Sequence, residues 1–179
     1  MLELILLSLG LSCATGVLSL VTSKARAASK TIACVGGMGA AALSFIGGVG
    51  ALFQTATYAS WIGPMPFTNF TLLLNPLAGL LIAVIAALAF VAWLYGLSYF
   101  DEYYEAGIGV IGFFMNLFIA SMNLVILADN AFWFLVFFEL MSLTSYVLVI
   151  IDRTEASLKG GFLYLIMAHI GFLMIACSF

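Results

Sequence analysis

Charge is what this sequence has least of. Of its 179 residues only 7% are Asp, Glu, Lys or Arg, while 65% are hydrophobic, and the mean hydropathy is +1.26. Soluble domains carry roughly 25% charged and 45–50% apolar residues, so a soluble fold built from this chain would lack the polar groups to cover its surface. The five basic residues form no long patch, which argues against nucleic-acid binding. Cysteine is scarce too. Cys13, Cys34 and Cys177 lie in separate apolar runs, without the short spacings that zinc, iron–sulfur or disulfide frameworks need. All three read as small buried apolar residues. A glycine-rich nucleotide loop is also missing, so no cofactor and no metal are expected in this chain.

What the sequence does have is long apolar runs. They cover residues 2–21, 31–53, 76–97, 108–127, 131–151 and 160–179. Each is about one hydrocarbon thickness long at a helical rise of ~1.5 Å per residue. The expected fold is therefore all-α and integral to a membrane, with six transmembrane helices. The first run has no basic residue before it, and its positive charges follow it; it reads as a first span and not as a cleaved signal peptide. The second is rich in Gly, Ala and Ser, which permits close helix approach. Residues 54–74 are expected to form a loop, with Pro64 and Pro66 and the interfacial aromatics Tyr58, Trp61 and Phe67. A polar break is expected at 98–105.

Charge placement gives the orientation. Lys24, Arg26, Lys30, Arg153 and Lys159 are all five basic residues, and with six spans they fall on one side. By the positive-inside rule that side is cytoplasmic and the N-terminus extracytoplasmic. The protein is then a multi-pass component of the inner cell membrane.

Within the apolar runs a few polar residues stand out. Glu139 lies about nine residues into the fifth span, roughly 13 Å deep. An ionised carboxylate near the bilayer centre costs at least ~2.5–3.5 kcal/mol on insertion scales, so such a residue faces a bundle interior and is a candidate for proton handling. Ser142 and Tyr146 follow at three and seven positions on the same helical face. Asn116 and Asn123, seven apart on the fourth span, make a second polar stripe. These four read first as interhelical hydrogen-bond glue and second as pathway residues. His169 lies near the midpoint of the sixth span, where an antiparallel neighbour would bring it to the depth of Glu139. It is equally readable as an imidazole satisfied by a backbone carbonyl.

The stretches Gly112-Phe-Phe-Met-Asn-Leu-Phe-Ile-Ala-Ser-Met122 and Asp129-Asn-Ala-Phe-Trp-Phe-Leu-Val-Phe-Phe-Glu139-Leu-Met-Ser-Leu-Thr-Ser-Tyr-Val-Leu-Val149 carry a family resemblance. Ser98-Tyr-Phe-Asp-Glu-Tyr-Tyr104 and Leu163-Tyr-Leu-Ile-Met-Ala-His169-Ile-Gly171 extend it. The chain resembles the antiporter-like membrane subunits shared by hydrogenase-4 and formate hydrogenlyase, respiratory complex I and the multi-subunit sodium/proton antiporters. The match is good over about residues 70–179 and only hydropathic before. It implies a longer helical subunit of inverted repeats carrying proton half-channels, in which the glutamate matching Glu139 pairs with a lysine two spans later. Residues 1–107 would then be three N-terminal helices, and 108–179 the first three helices of a truncated repeat.

The sequence stops before any such lysine, which points to a fragment or to a separate chain supplying the missing helices. The function implied is proton translocation within a hydrogenase or NADH-quinone oxidoreductase-like complex. Glu139 and His169 would handle protons, Ser142, Tyr146, Asn116 and Asn123 would support them, and other membrane and redox subunits would be partners. Two alternatives stand beside it: a purely structural membrane fragment, and a subunit of a monovalent cation/proton antiporter.

Overall fold

The computed structural model describes residues 1–62, 69–103 and 107–178. In chain order these form α1 (Leu2–Val21), α2 (Arg26–Ala51), β1 (Thr57–Trp61), β2 (Phe70–Leu74), α3 (Pro76–Tyr103), α4 (Ile108–Leu127), α5 (Ala131–Val149) and α6 (Glu155–Ser178). All six helices are long and apolar enough to cross a membrane, as the hydropathy runs predict.

Three helix ends extend well beyond the apolar runs. α2 starts at Arg26 and α6 at Glu155, each ahead of its run, and α3 continues to Tyr103 through much of the anticipated break. Hydropathy marks the hydrocarbon layer, whereas a helix continues into the headgroup region, where polar side chains are solvated. The first turns of α6 illustrate this: Lys159 and Glu155, four apart, form an exposed ion pair of 2.6 Å. Tyr104 and Glu105 of the break lie outside the described residues, as do Pro64, Pro66 and Phe67 of the loop.

The expected loop at 54–74 contains an antiparallel hairpin, a correction to the reading of that segment. Thr57 pairs with Leu74 and Trp61 with Phe70. The hairpin is pinned to the junction between α4 and α5: Leu72 bridges Ala128, and the Asp129 N–H donates to the Thr71 carbonyl at 3.2 Å. Aromatic packing reinforces the attachment. The Phe70 ring lies 5.1 Å from that of Trp133 and 5.9 Å from that of Phe137, both edge-on. A two-stranded hairpin is marginal alone, and here α5 and the α4–α5 junction supply the surface it needs.

Small residues set the helix packing. Ser8 and Ser44 hydrogen-bond across α1 and α2 at 2.7 Å, and Ser19 and Ser29 do so at 3.0 Å, so the two helices run antiparallel. α2 and α3 approach so closely that a Cβ on Gly48 would lie 2.7 Å from the Gly79 carbonyl oxygen. On Gly112 of α4 it would lie 2.6 Å from Ala33 Cβ and Ser19 Oγ. The bulky exception is Trp93, buried against Gly37. Lys30 Nζ donates to the Leu97 carbonyl at 3.1 Å, tying the start of α2 to the later part of α3. The five basic residues thus gather at the end opposite the hairpin.

α5 and α6 lie at the flank of this bundle. Among the described residues of α6, Gly161 is buried; it sits against Ile150 and the Tyr146 ring. The cysteine expectation holds for Cys34 alone. Cys13 and Cys177 are exposed, which a thiol tolerates on a lipid-facing surface because it behaves as a small hydrophobe.

Candidate functional site

α5 begins with Asn130 as N-cap, its side chain accepting from the Phe132 N–H at 2.8 Å. That cap fixes the start of the helix and so the height of everything on it. Glu139 follows eight residues after Ala131 and precedes Val149 by ten, which puts it roughly 12–15 Å from either end. α6 runs back antiparallel and brings His169 to the same height. His169 Nε2 lies 2.9 Å from Glu139 Oε1. The two residues expected from the sequence to share a depth are in contact.

The other ring nitrogen decides the proton count. His169 Nδ1 lies 2.9 Å from the carbonyl oxygen of Leu165, one turn back. A carbonyl only accepts, so Nδ1 carries a proton and donates it. Nε2 and Oε1 then share a single proton, as imidazolium with carboxylate or as neutral imidazole with carboxyl. Both forms carry no net charge. Glu139 Oε2 is buried and among the described residues has no hydrogen-bond partner. Loss of the shared proton would set two acceptors facing each other and break the bond.

The site is not enclosed by these six helices. The Glu139 side chain is 25% and the His169 side chain 44% exposed. With no water in the hydrocarbon layer, exposure here means contact with lipid or with another protein surface.

The supporting residues behave differently from expectation. The Ser142 hydroxyl donates to the Phe138 carbonyl at 3.0 Å, and Asn116 Nδ2 to the Gly112 carbonyl at 3.0 Å. Both bonds close within one helix, and among the described residues neither side chain hydrogen-bonds to another helix. Asn116 packs on Gly16 of α1, where a Cβ would lie 3.3 Å from Asn116 Cβ. Asn116 and Asn123 are 1% and 2% exposed, and among the described residues the Oδ1 of each has no partner. The Tyr146 ring packs beside Gly161. The Leu165 carbonyl and the aromatic set Phe70, Trp133 and Phe137 are additions that the sequence reading did not name. Among the described residues no three His, Cys, Asp or Glu side chains are grouped to hold a metal ion.

Known proteins now bear on this geometry. Over 121 residues, 68% of this chain, the sequence is 43% identical to hydrogenase-4 component B of Escherichia coli (strain K12). The chain is similar to hydrogenase-4 component B. The resemblance expected from the α4 and α5 motifs therefore holds, although the match covers only 18% of the length of hydrogenase-4 component B. A subunit in the structure of the membrane-bound sulfane sulfur reductase, an archaeal respiratory membrane complex, superposes with a TM-score of 0.80 at 18% identity. It covers 94% of this chain and 34% of that subunit, and at such identity it shows the fold. No family model matches. With six spans and the likeness to hydrogenase-4 component B, the chain is a multi-pass membrane protein.

Proposed function

We propose that this chain forms the N-terminal part of a proton-translocating, antiporter-like subunit in a hydrogenase-4, formate hydrogenlyase or NADH-quinone oxidoreductase-like complex. Residues 1–107 supply a three-helix scaffold and hairpin, and 108–179 begin the repeat that carries protons. The Glu139–His169 contact of 2.9 Å at mid-helix depth is the observation that carries the reading. A carboxyl and an imidazole sharing one proton there can accept another on Oε2 and release it. Structural glue between helices does not require a carboxylate at this depth, where its charge is costly. Similarity to hydrogenase-4 component B supports membership of a complex whose other membrane and redox subunits do the electron chemistry. The exposed flank of α5 and α6 gives such neighbours a place to pack. The basic end faces the cytoplasm across the inner membrane, with the N-terminus outside, as the positive-inside rule requires.

Replacing Glu139 by Gln in the assembled complex tests the proposal. Proton translocation into inverted vesicles is measured at matched electron flux. The expected result is a loss of protons moved per electron with electron transfer retained. An unchanged ratio would overturn the assignment.

A further inference from the structure

Away from the Glu139–His169 pair, a cavity opens at the basic end, between the start of α4, the end of α5 and the start of α6. Its volume is about 660 Å³, within the ~300–1,000 Å³ range of ligand pockets. Val110, Val147, Ile150, Ile151 and Leu158 form apolar walls, and Arg153 stands at the rim. The Arg153 backbone is held at φ 50°, a left-handed conformation uncommon outside glycine. A turn fixes it there, the Arg153 N–H donating to the Ile150 carbonyl at 3.0 Å. Two of the other charges on this turn are spoken for, since Lys159 and Glu155 are paired with each other at 2.6 Å. Asp152 adjoins Arg153 in sequence. Among the described residues the Arg153 guanidinium has no ion-pair partner.

One guanidinium above an apolar-walled cavity, at the level where helices leave the hydrocarbon, matches an amphiphile with an anionic head and a hydrocarbon tail. We infer that this cavity binds a single anionic phospholipid. The phosphate sits on Arg153, whose planar fork suits a phosphodiester, and an acyl chain lies along Val110 and Val147. Basic pockets between transmembrane helices are a general form of lipid headgroup site. The bound lipid would fill a gap between the α4–α5 pair and the loosely attached α6.

The test uses the whole chain in nanodiscs of phosphatidylcholine containing phosphatidylglycerol, with lipids retained after detergent extraction counted by native mass spectrometry. The expected result is one tightly held phosphatidylglycerol. Arg153→Gln should reduce its retention about fivefold, the worth of one basic residue at an anionic surface, and Arg153→Lys should restore most of it. Leu158→Trp, which keeps the charge and fills the cavity, should also displace the lipid. Lys24→Gln serves as control and should leave retention unchanged. Equal retention of phosphatidylcholine and phosphatidylglycerol would overturn the inference, as would indifference to both Arg153→Gln and Leu158→Trp. Displacement of the lipid by millimolar inorganic phosphate would also overturn it, because the site would then recognise the anion alone.

Discussion

Removing either member of the Glu139–His169 pair should loosen α6 from α5, and the size of the effect follows from the contact. Interhelical hydrogen bonds in membranes average about 0.6 kcal/mol and reach about 1.7, whereas bonds to charged groups run to about 1.5–3 kcal/mol. The pair is 2.9 Å long but its side chains are 25% and 44% exposed, which favours the overlap of the two ranges, about 1.5 kcal/mol. Glu139→Leu, His169→Leu and the double variant form a thermodynamic cycle, read by unfolding in mixed micelles. His169→Leu should destabilise the chain because it leaves both Glu139 oxygens without a partner. The double variant should lose less than the sum of the singles, with a coupling of about 1.5 kcal/mol. Additivity within about 0.3 kcal/mol would refute the pairing.

Three further outcomes follow from the packing. Gly161→Leu drives a side chain into Ile150 and the Tyr146 ring, and should destabilise the α5–α6 contact by about 1–3 kcal/mol, visible as slower disulfide formation between cysteines placed across that contact. Phe70→Ala removes the edge-on contacts to Trp133 and Phe137, worth about 0.5–1.5 kcal/mol each. The hairpin should lift, and hydrogen exchange at the Asp129 amide, bonded to Thr71, should accelerate. Asn123→Leu removes a buried amide whose Oδ1 has no partner and should change thermal stability by less than about 0.5 kcal/mol or raise it. A loss above about 1.5 kcal/mol would mean that the amide is satisfied in the membrane.

The six spans were legible because lipid as solvent imposes one simple demand, a run of apolar residues as long as the bilayer is thick. Glu139 stood out for the converse reason, a carboxyl where that demand should exclude it. Its contact with His169 was legible only in depth, since hydropathy fixes height along a helix and says nothing of rotation about it. The hairpin was obscured because Thr57–Trp61 and Phe70–Leu74 are short, and their pairing depends on the distant α4–α5 junction and on Trp133. Asn116 and Ser142 looked like bridges between helices. Each instead donates to its own helix backbone, a choice that spacing along the sequence does not reveal.

The sequence contains one histidine, so nitrogen NMR of histidine-labelled chain in bilayers reports on His169 without ambiguity. The expected result is a proton fixed on Nδ1, and an Nε2 resonance that moves when Glu139 is replaced by Gln, because the shared proton is then lost. An Nε2 signal identical in the parent chain and Glu139→Gln would show that the two side chains share no proton, and the proposed site would have no chemical basis.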